Sequence, residues 1–138
     1  MPDEELIAEL LDGPYPCCLS TLRADGSPYN VVVWCERDGD RVTVNAAEGR
    51  WLENVRRDPR VSLVVVDTAN ILRHVGIDGT VVEIAPDGDY THIDDLSHTY
   101  MGGRYQWSTP DDEPRFKVVI EPRRTRTVDI PLPESEIR

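Results

Sequence analysis

Arg50 stands at the start of the most informative stretch of this 138-residue chain. The run Ala46-Ala47-Glu48-Gly49 leads into GRWLENVRRD (49–58), where Trp51, Leu52 and Val55 form an apolar stripe. Arg50, Asn54 and Arg57 fall at i, i+4 and i+7 on a polar one. That spacing predicts a short helix, stopped by Pro59. A helix N-terminus presents unpaired N–H groups and a partial positive charge, which suit a phosphate. A first-turn guanidinium can grip two phosphate oxygens. An arginine there opposes the helix dipole unless an anion is present. It serves equally as a solvent-facing side chain, and the local sequence leaves both readings open.

Other chemistry-bearing groups point to less. His92, Asp95 and His98 are three residues apart, but steps of three on a helix leave the outer two about 120° apart. The trio reads as a solvated acidic helix face, and no metal site is expected. Arg123, Arg124 and Arg126 read as a solvated strand end rather than a nucleic-acid patch. No P-loop, GxGxxG, GxSxG or CxxC pattern occurs. No acid/base pair or nucleophile–base constellation stands out, so no catalytic residue is assigned.

Composition narrows the partners. With 26 acidic and 15 basic residues the net charge is −11, which repels nucleic acid and anionic lipid. Only Lys117 among the bases is lysine. Cys17, Cys18 and Cys35 are an odd number, and the opening MPDEELIAELL lacks the basic start of a signal peptide. The three read as reduced packing residues without a disulfide framework. No apolar run approaches the ~18–20 residues of a membrane helix. The expectation is a soluble, cytoplasmic protein with one domain spanning 1–138.

The elements that must position Arg50 follow from periodicity and turns. Leu6, Ile7, Leu10 and Leu11 predict a helix over 3–11. Strands are predicted at 17–23, 27–37 and 41–46, joined by Ala24-Asp25-Gly26 and Asp38-Gly39-Asp40 as a three-strand antiparallel meander. RVSLVVVD (60–67) is apolar at adjacent positions and predicts a strand buried on both faces. A long strand follows at 72–85, where Gly76 and Gly79 permit a bulge. A second helix near 89–101 turns Tyr90, Ile93, Leu96 and Tyr100 inward and ends at Gly102-Gly103. Strands at 116–122 and 125–130 precede an extended tail, PLPESEIR. Six or seven antiparallel strands with two or three short helices make a mainly β chain, a small barrel decorated by helices.

Three runs in order, STLRADGSPYNVVVW (20–34), VNAAEGRWLENVRRDPRVSLVV (44–65) and HVGIDGTVVEI (74–84), resemble the split β-barrel flavin and deazaflavin oxidoreductases, the pyridoxamine 5′-phosphate oxidase-like superfamily. HIDDLSHTYMGGRYQW (92–107) and VVIEPRRTRTVD (118–129) resemble its coenzyme F420-dependent branch. The resemblance implies a homodimer with cofactors in clefts between barrels. It implies a phosphate held around Asn45, Ala46, Gly49, Arg50 and Trp51, with Asn54 on the same helix, and a ring along Val31, Val32, Val33 and Trp34. His74, preceded by Arg73, matches a cofactor-contacting glutamine of the flavin-binding oxidases. Tyr105-Gln106-Trp107 would approach the neighbouring subunit's site. Trp51 departs from the pattern, because a lysine is usual there and an indole brings one N–H without charge.

The function so implied is hydride transfer between coenzyme F420 and a small organic substrate, with the cofactor carrying the hard chemistry. An FMN-dependent oxidase or reductase is the alternative on the same fold. A non-catalytic cofactor-binding protein is the alternative of a different class. Substrate identity lies beyond the sequence.

Overall fold

The computed structural model describes residues 2–134. Helix α1 (Glu4–Asp12) begins where the Asp3 carboxylate accepts the Leu6 N–H at 3.1 Å, a side-chain N-cap. Of the apolar positions predicted from spacing, Leu6, Leu10 and Leu11 are buried in the main core and Ile7 packs half-buried against it.

Seven strands follow as one antiparallel sheet: β1 (Cys17–Leu22), β2 (Pro28–Val33), β3 (Cys35–Asp38), β4 (Arg41–Ala47), β5 (Arg60–Val66), β6 (Arg73–Pro86) and β7 (Arg115–Asp129). Their order is β2-β1-β5-β6-β7-β4-β3. Helix α2 (Arg50–Arg57) joins β4 to β5, and α3 (Thr91–Met101) lies between β6 and β7. This is the expected split β-barrel with three helices. Both Asp-Gly turns form, and Gly26 and Gly39 take the positive φ (85° and 62°) that favours glycine there.

The two hairpins of the expected meander form, β1 with β2 and β3 with β4, but not as one three-strand unit. The segment 27–37 breaks at Trp34 into β2 and β3, which lie at opposite edges of the sheet. Consecutive strands on opposite edges, separated by one residue, force the sheet to curl until its edges meet at Trp34. Periodicity cannot report such a break, since each half alternates normally.

Burial on both faces belongs to a different strand from the one expected. In β5 only alternate residues, Val61, Leu63 and Val65, are buried, with Ser62, Val64 and Val66 half-exposed. In β4 every residue from Val42 to Ala46 is buried. Val42, Val44 and Ala46 face the core, while Thr43 and Asn45 face His92 of α3. Nothing in RVTVNA (41–46) marks Thr43 and Asn45 as covered by a helix from elsewhere in the chain.

The last two strands are one. β7 runs 15 residues and pairs with β6 along one edge and with β4 along the other. It follows the curl through register shifts at Asp78/Gly79 and Val81/Glu83 of β6. At Gly79 a Cβ would lie 2.8 Å from Ile120 Cγ2 and 2.9 Å from the Glu121 carbonyl, so the close approach requires glycine. The tail is exposed and irregular over 131–134, and its remainder, 135–138, lies outside the described residues. Cys17 and Cys35 are buried and Cys18 half-buried, all as free thiols, as packing residues should be. Hydrogen bonding to Cys35 and burial push the Cys17 thiol well up from its ordinary value.

Candidate functional site

A cleft of about 390 Å³ opens where β4 hands over to α2, within the range usual for small-molecule sites. One wall is the end of β2, with Val32, Val33 and Trp34. The floor is Asn45, Ala46 and Ala47 of β4, continued by Glu48, Gly49 and Trp51 at the start of α2. Ile93 and Leu96 of α3 give an apolar back, and Tyr105 and Arg115 close the remaining side.

Each wall has a local cause. Tyr100 fixes the corner at Trp34: its ring stacks on the indole at 5.5 Å between centroids, and its hydroxyl accepts from the Cys35 N–H at 3.1 Å. It donates to the Tyr15 carbonyl at 2.7 Å. Burial pushes the Tyr100 phenol far up, so it is a neutral structural bolt at any ordinary pH. Trp34 also meets Tyr105 and Trp107 edge-on, at 6.3 and 6.4 Å. Tyr105 and Trp107 thus lie against their own chain's cleft.

The start of α2 is bare of side-chain caps: Gly49 is the N-cap and no side chain bonds the first amides. Glu48 brings a carboxylate to the rim, but Arg56 pairs with it bidentately at 2.8 and 3.0 Å. The two charges cancel locally, leaving the helix end free for an anion.

Behind Asn45 lies a buried polar chain. Arg115 Nε donates to Asn45 Oδ1 at 2.7 Å. Asn45 Nδ2 donates to Asp87 Oδ2 at 3.1 Å and to His92 Nδ1 at 2.9 Å. An accepting Nδ1 leaves the His92 proton on Nε2, which donates to Thr43 Oγ1 at 3.1 Å. Asp87 also takes the N–H groups of His92 and Ile93, at 3.0 and 2.9 Å, and so caps α3. No buried side-chain polar atom among the described residues lacks a partner, which makes this chain a rigid support for the cleft floor.

Of the residues singled out by sequence, the fold brings Val32, Val33, Trp34, Asn45, Ala46, Gly49 and Trp51 to the cleft. Trp107 touches its aromatic wall while 61% exposed. Val31 is half-buried against the core instead. Arg50 is in the first turn of α2 but exposed, outside the cleft lining. His74 lies at the start of β6, opposite Val66 and Val128, with Nδ1 2.8 Å from the Ile71 carbonyl and no place in the cleft.

Two polar positions differ from expectation. Asn54 does not share a solvated stripe with Arg50 and Arg57: it is 1% exposed, and its Nδ2 donates to Thr21 Oγ1 at 3.0 Å. Helical spacing gives its direction but not the strand covering it. His92 is not on a solvated face but 7% exposed under β4, whereas Asp95 and His98 are exposed, the divergence their spacing requires. Arg123 and Arg126 are mostly solvated, as expected, at 56% and 61% side-chain exposure. Sequence reasoning missed Arg115 and Asp87. Asp87 reads as a turn residue, and Arg115 precedes a strand with nothing to mark it.

A family model described as pyridoxamine 5′-phosphate oxidase matches residues 3–129. No curated protein matches the chain. Among solved structures, an F420 reductase is similar at 27% identity and TM-score 0.75, covering 85% of this chain and 93% of its own. A conserved hypothetical protein from Mycobacterium tuberculosis is similar at 25% identity and TM-score 0.77, over 100% of this chain and 93% of that one. An FAD-binding protein from Mesorhizobium loti shares the fold at 19% identity and TM-score 0.63, over 89% of this chain and 90% of its own.

Proposed function

The chain belongs to the pyridoxamine 5′-phosphate oxidase family, and from that premise we propose an oxidoreductase that uses coenzyme F420 to move a hydride to or from a small organic substrate. One observation carries the reading: an uncapped helix start and an aromatic, apolar wall face each other across a single cleft. The donor set suits a phosphate joined to a flat ring. Backbone amides at the start of α2 would take the phosphate, and Val32, Val33 and Trp34 would lie along the ring. The similarity to an F420 reductase supports the choice of deazaflavin.

When bound, the deazaflavin supplies the hydride chemistry. The chain's own residues bind, orient and exclude water. Ile93 and Leu96 are 3% and 0% exposed, giving the cleft a dry back. Tyr100 locks Trp34, and the Asn45–His92–Thr43 chain holds the floor still, as a positioned site requires.

Trp51 favours a second reading. It lies in the cleft where the resemblance expects lysine, so the phosphate end lacks an ammonium that the extra acidic groups of coenzyme F420 would use. FMN, with fewer negative charges, is the alternative ligand, as an oxidase, a reductase or a carrier. We propose further that the protein acts in the cytoplasm as a homodimer. No helix among the described residues is long and apolar enough to cross a membrane. Ile71, Leu72, Ile130 and Leu132 are 42–68% exposed, and backbone and side-chain hydrogen bonds tie the 70–72 turn to Ile130. An apolar patch of this kind favours association.

The test is a titration with coenzyme F420 and with FMN, read by tryptophan fluorescence, since all three tryptophans line or touch the cleft. Saturable quenching by coenzyme F420, followed by turnover of enones with the reduced form, supports the reading. Tight binding without turnover makes the protein a carrier, and indifference to both ligands ends the proposal.

A further inference from the structure

Among the described residues Arg115 is the one cationic side chain that lines the cleft, and its surroundings fix which edge of the guanidinium is available. The side chain is 13% exposed. Nε is held by Asn45 Oδ1 at 2.7 Å, and Nη1 is shared between the Tyr105 hydroxyl at 3.2 Å and Glu113 Oε1 at 3.0 Å. Nη2 donates to none of the described residues. The guanidinium carbon lies 5.1 Å from the centroid of the Tyr105 ring, so the cation is held over the ring as well as hydrogen-bonded. The Tyr105 hydroxyl accepts from Nη1 and keeps its own proton to donate. A charged N–H and a neutral O–H therefore stand side by side, and they suit one oxyanion.

Beside them is the aromatic wall. Tyr105 lies 5.2 Å from Trp107 and 6.3 Å from Trp34 between ring centroids. Such a wall selects a flat, conjugated body. Glu113 is the competing charge: its carboxylate is 45% exposed at the rim and draws on the same guanidinium.

We propose that Arg115 and Tyr105 form the substrate-recognition end of this cleft, and that its substrate is a flat conjugated molecule bearing a carboxylate. The proposal rests on the oxidoreductase reading for the identity of its co-ligand, but the oxyanion anchor belongs to the protein alone. Asn45 aims the guanidinium, and the buried chain through His92 and Thr43 keeps Asn45 in place. The carboxylate takes Nη2 and the tyrosine O–H, with its ring system against Trp107. Glu113 weakens the grip and sets it to release.

Calorimetric titration with trans-cinnamate and with its methyl ester tests this, on the protein alone and on protein saturated with coenzyme F420. The acid should bind at least tenfold more tightly than the ester in both. Arg115→Gln should erase that preference while coenzyme F420 still titrates. Glu113→Gln, at the rim, should tighten cinnamate two- to fivefold, and it guards against a fold defect in the Arg115 variant. Equal binding of acid and ester overturns the proposal. So does displacement of coenzyme F420 by cinnamate, which would assign the oxyanion place to the cofactor. If neither cofactor binds, the oxidoreductase reading fails, and the acid-to-ester ratio on the protein alone still decides the anchor.

Discussion

Asn54 fastens α2 to the sheet through one buried amide. Thr21, its partner, is itself 1% exposed, so Asn54→Ala strands a hydroxyl away from water. The expected cost is about 1–3 kcal/mol of stability, seen as a lower midpoint in urea. Arg50 tests the opposite kind of residue. Arg50→Ala should weaken a phosphate-bearing cofactor by roughly 1.5–3 kcal/mol if the guanidinium reaches it. An unchanged affinity would leave the phosphate to the α2 amides. At this scale the sequence pointed to Asn45, Ala46, Gly49 and Trp51, which the fold gathers in the cleft, because neighbours in the chain remain neighbours at a strand–helix junction; Arg50, from the same run, stays outside the lining. Arg115 and Asp87 were invisible because their partner, Asn45, is 70 and 42 residues away.

At the scale of elements, α1 is held by its leucines. Leu10 is 0% exposed, and Leu10→Ala should cost about 2–5 kcal/mol, measured by thermal or urea unfolding. The turns carry the acid sensitivity. Arg60 holds the Asp58 carboxyl down at about 2. The Ala69 amide, with Arg73, keeps Asp67 below the usual carboxylate range between β5 and β6. A carboxyl depressed in the folded state contributes stability that is present above its unfolded pKa of about 3.9 and is lost as pH falls through the folded value. The melting temperature should therefore drop between pH ~4 and ~2, and Asp58→Asn with Asp67→Asn should flatten that slope. Helix positions and both Asp-Gly hairpins were legible, since each is written in adjacent residues. The break at Trp34 and the single long β7 were not, because barrel curvature, not local preference, decides where a strand bends.

For the whole molecule, the apolar residues left outside predict association. Sedimentation should give twice the 15.6 kDa chain mass, and a monomer at micromolar concentration would remove the dimer from the proposal. The barrel itself could be expected from sequence, but the order of its strands could not, since that order is set by pairings far apart in the chain. One such pairing has a consequence for how the protein is made. β4 meets its barrel partner only in β7, some 75 positions later, through pairs such as Val44 with Val118. During vectorial synthesis the β3–β4 hairpin emerges early and waits, with a bare edge, for the last strand to leave the ribosome. A nascent chain stalled before Arg115 would carry that open edge and half a cleft together, a natural client for chaperones.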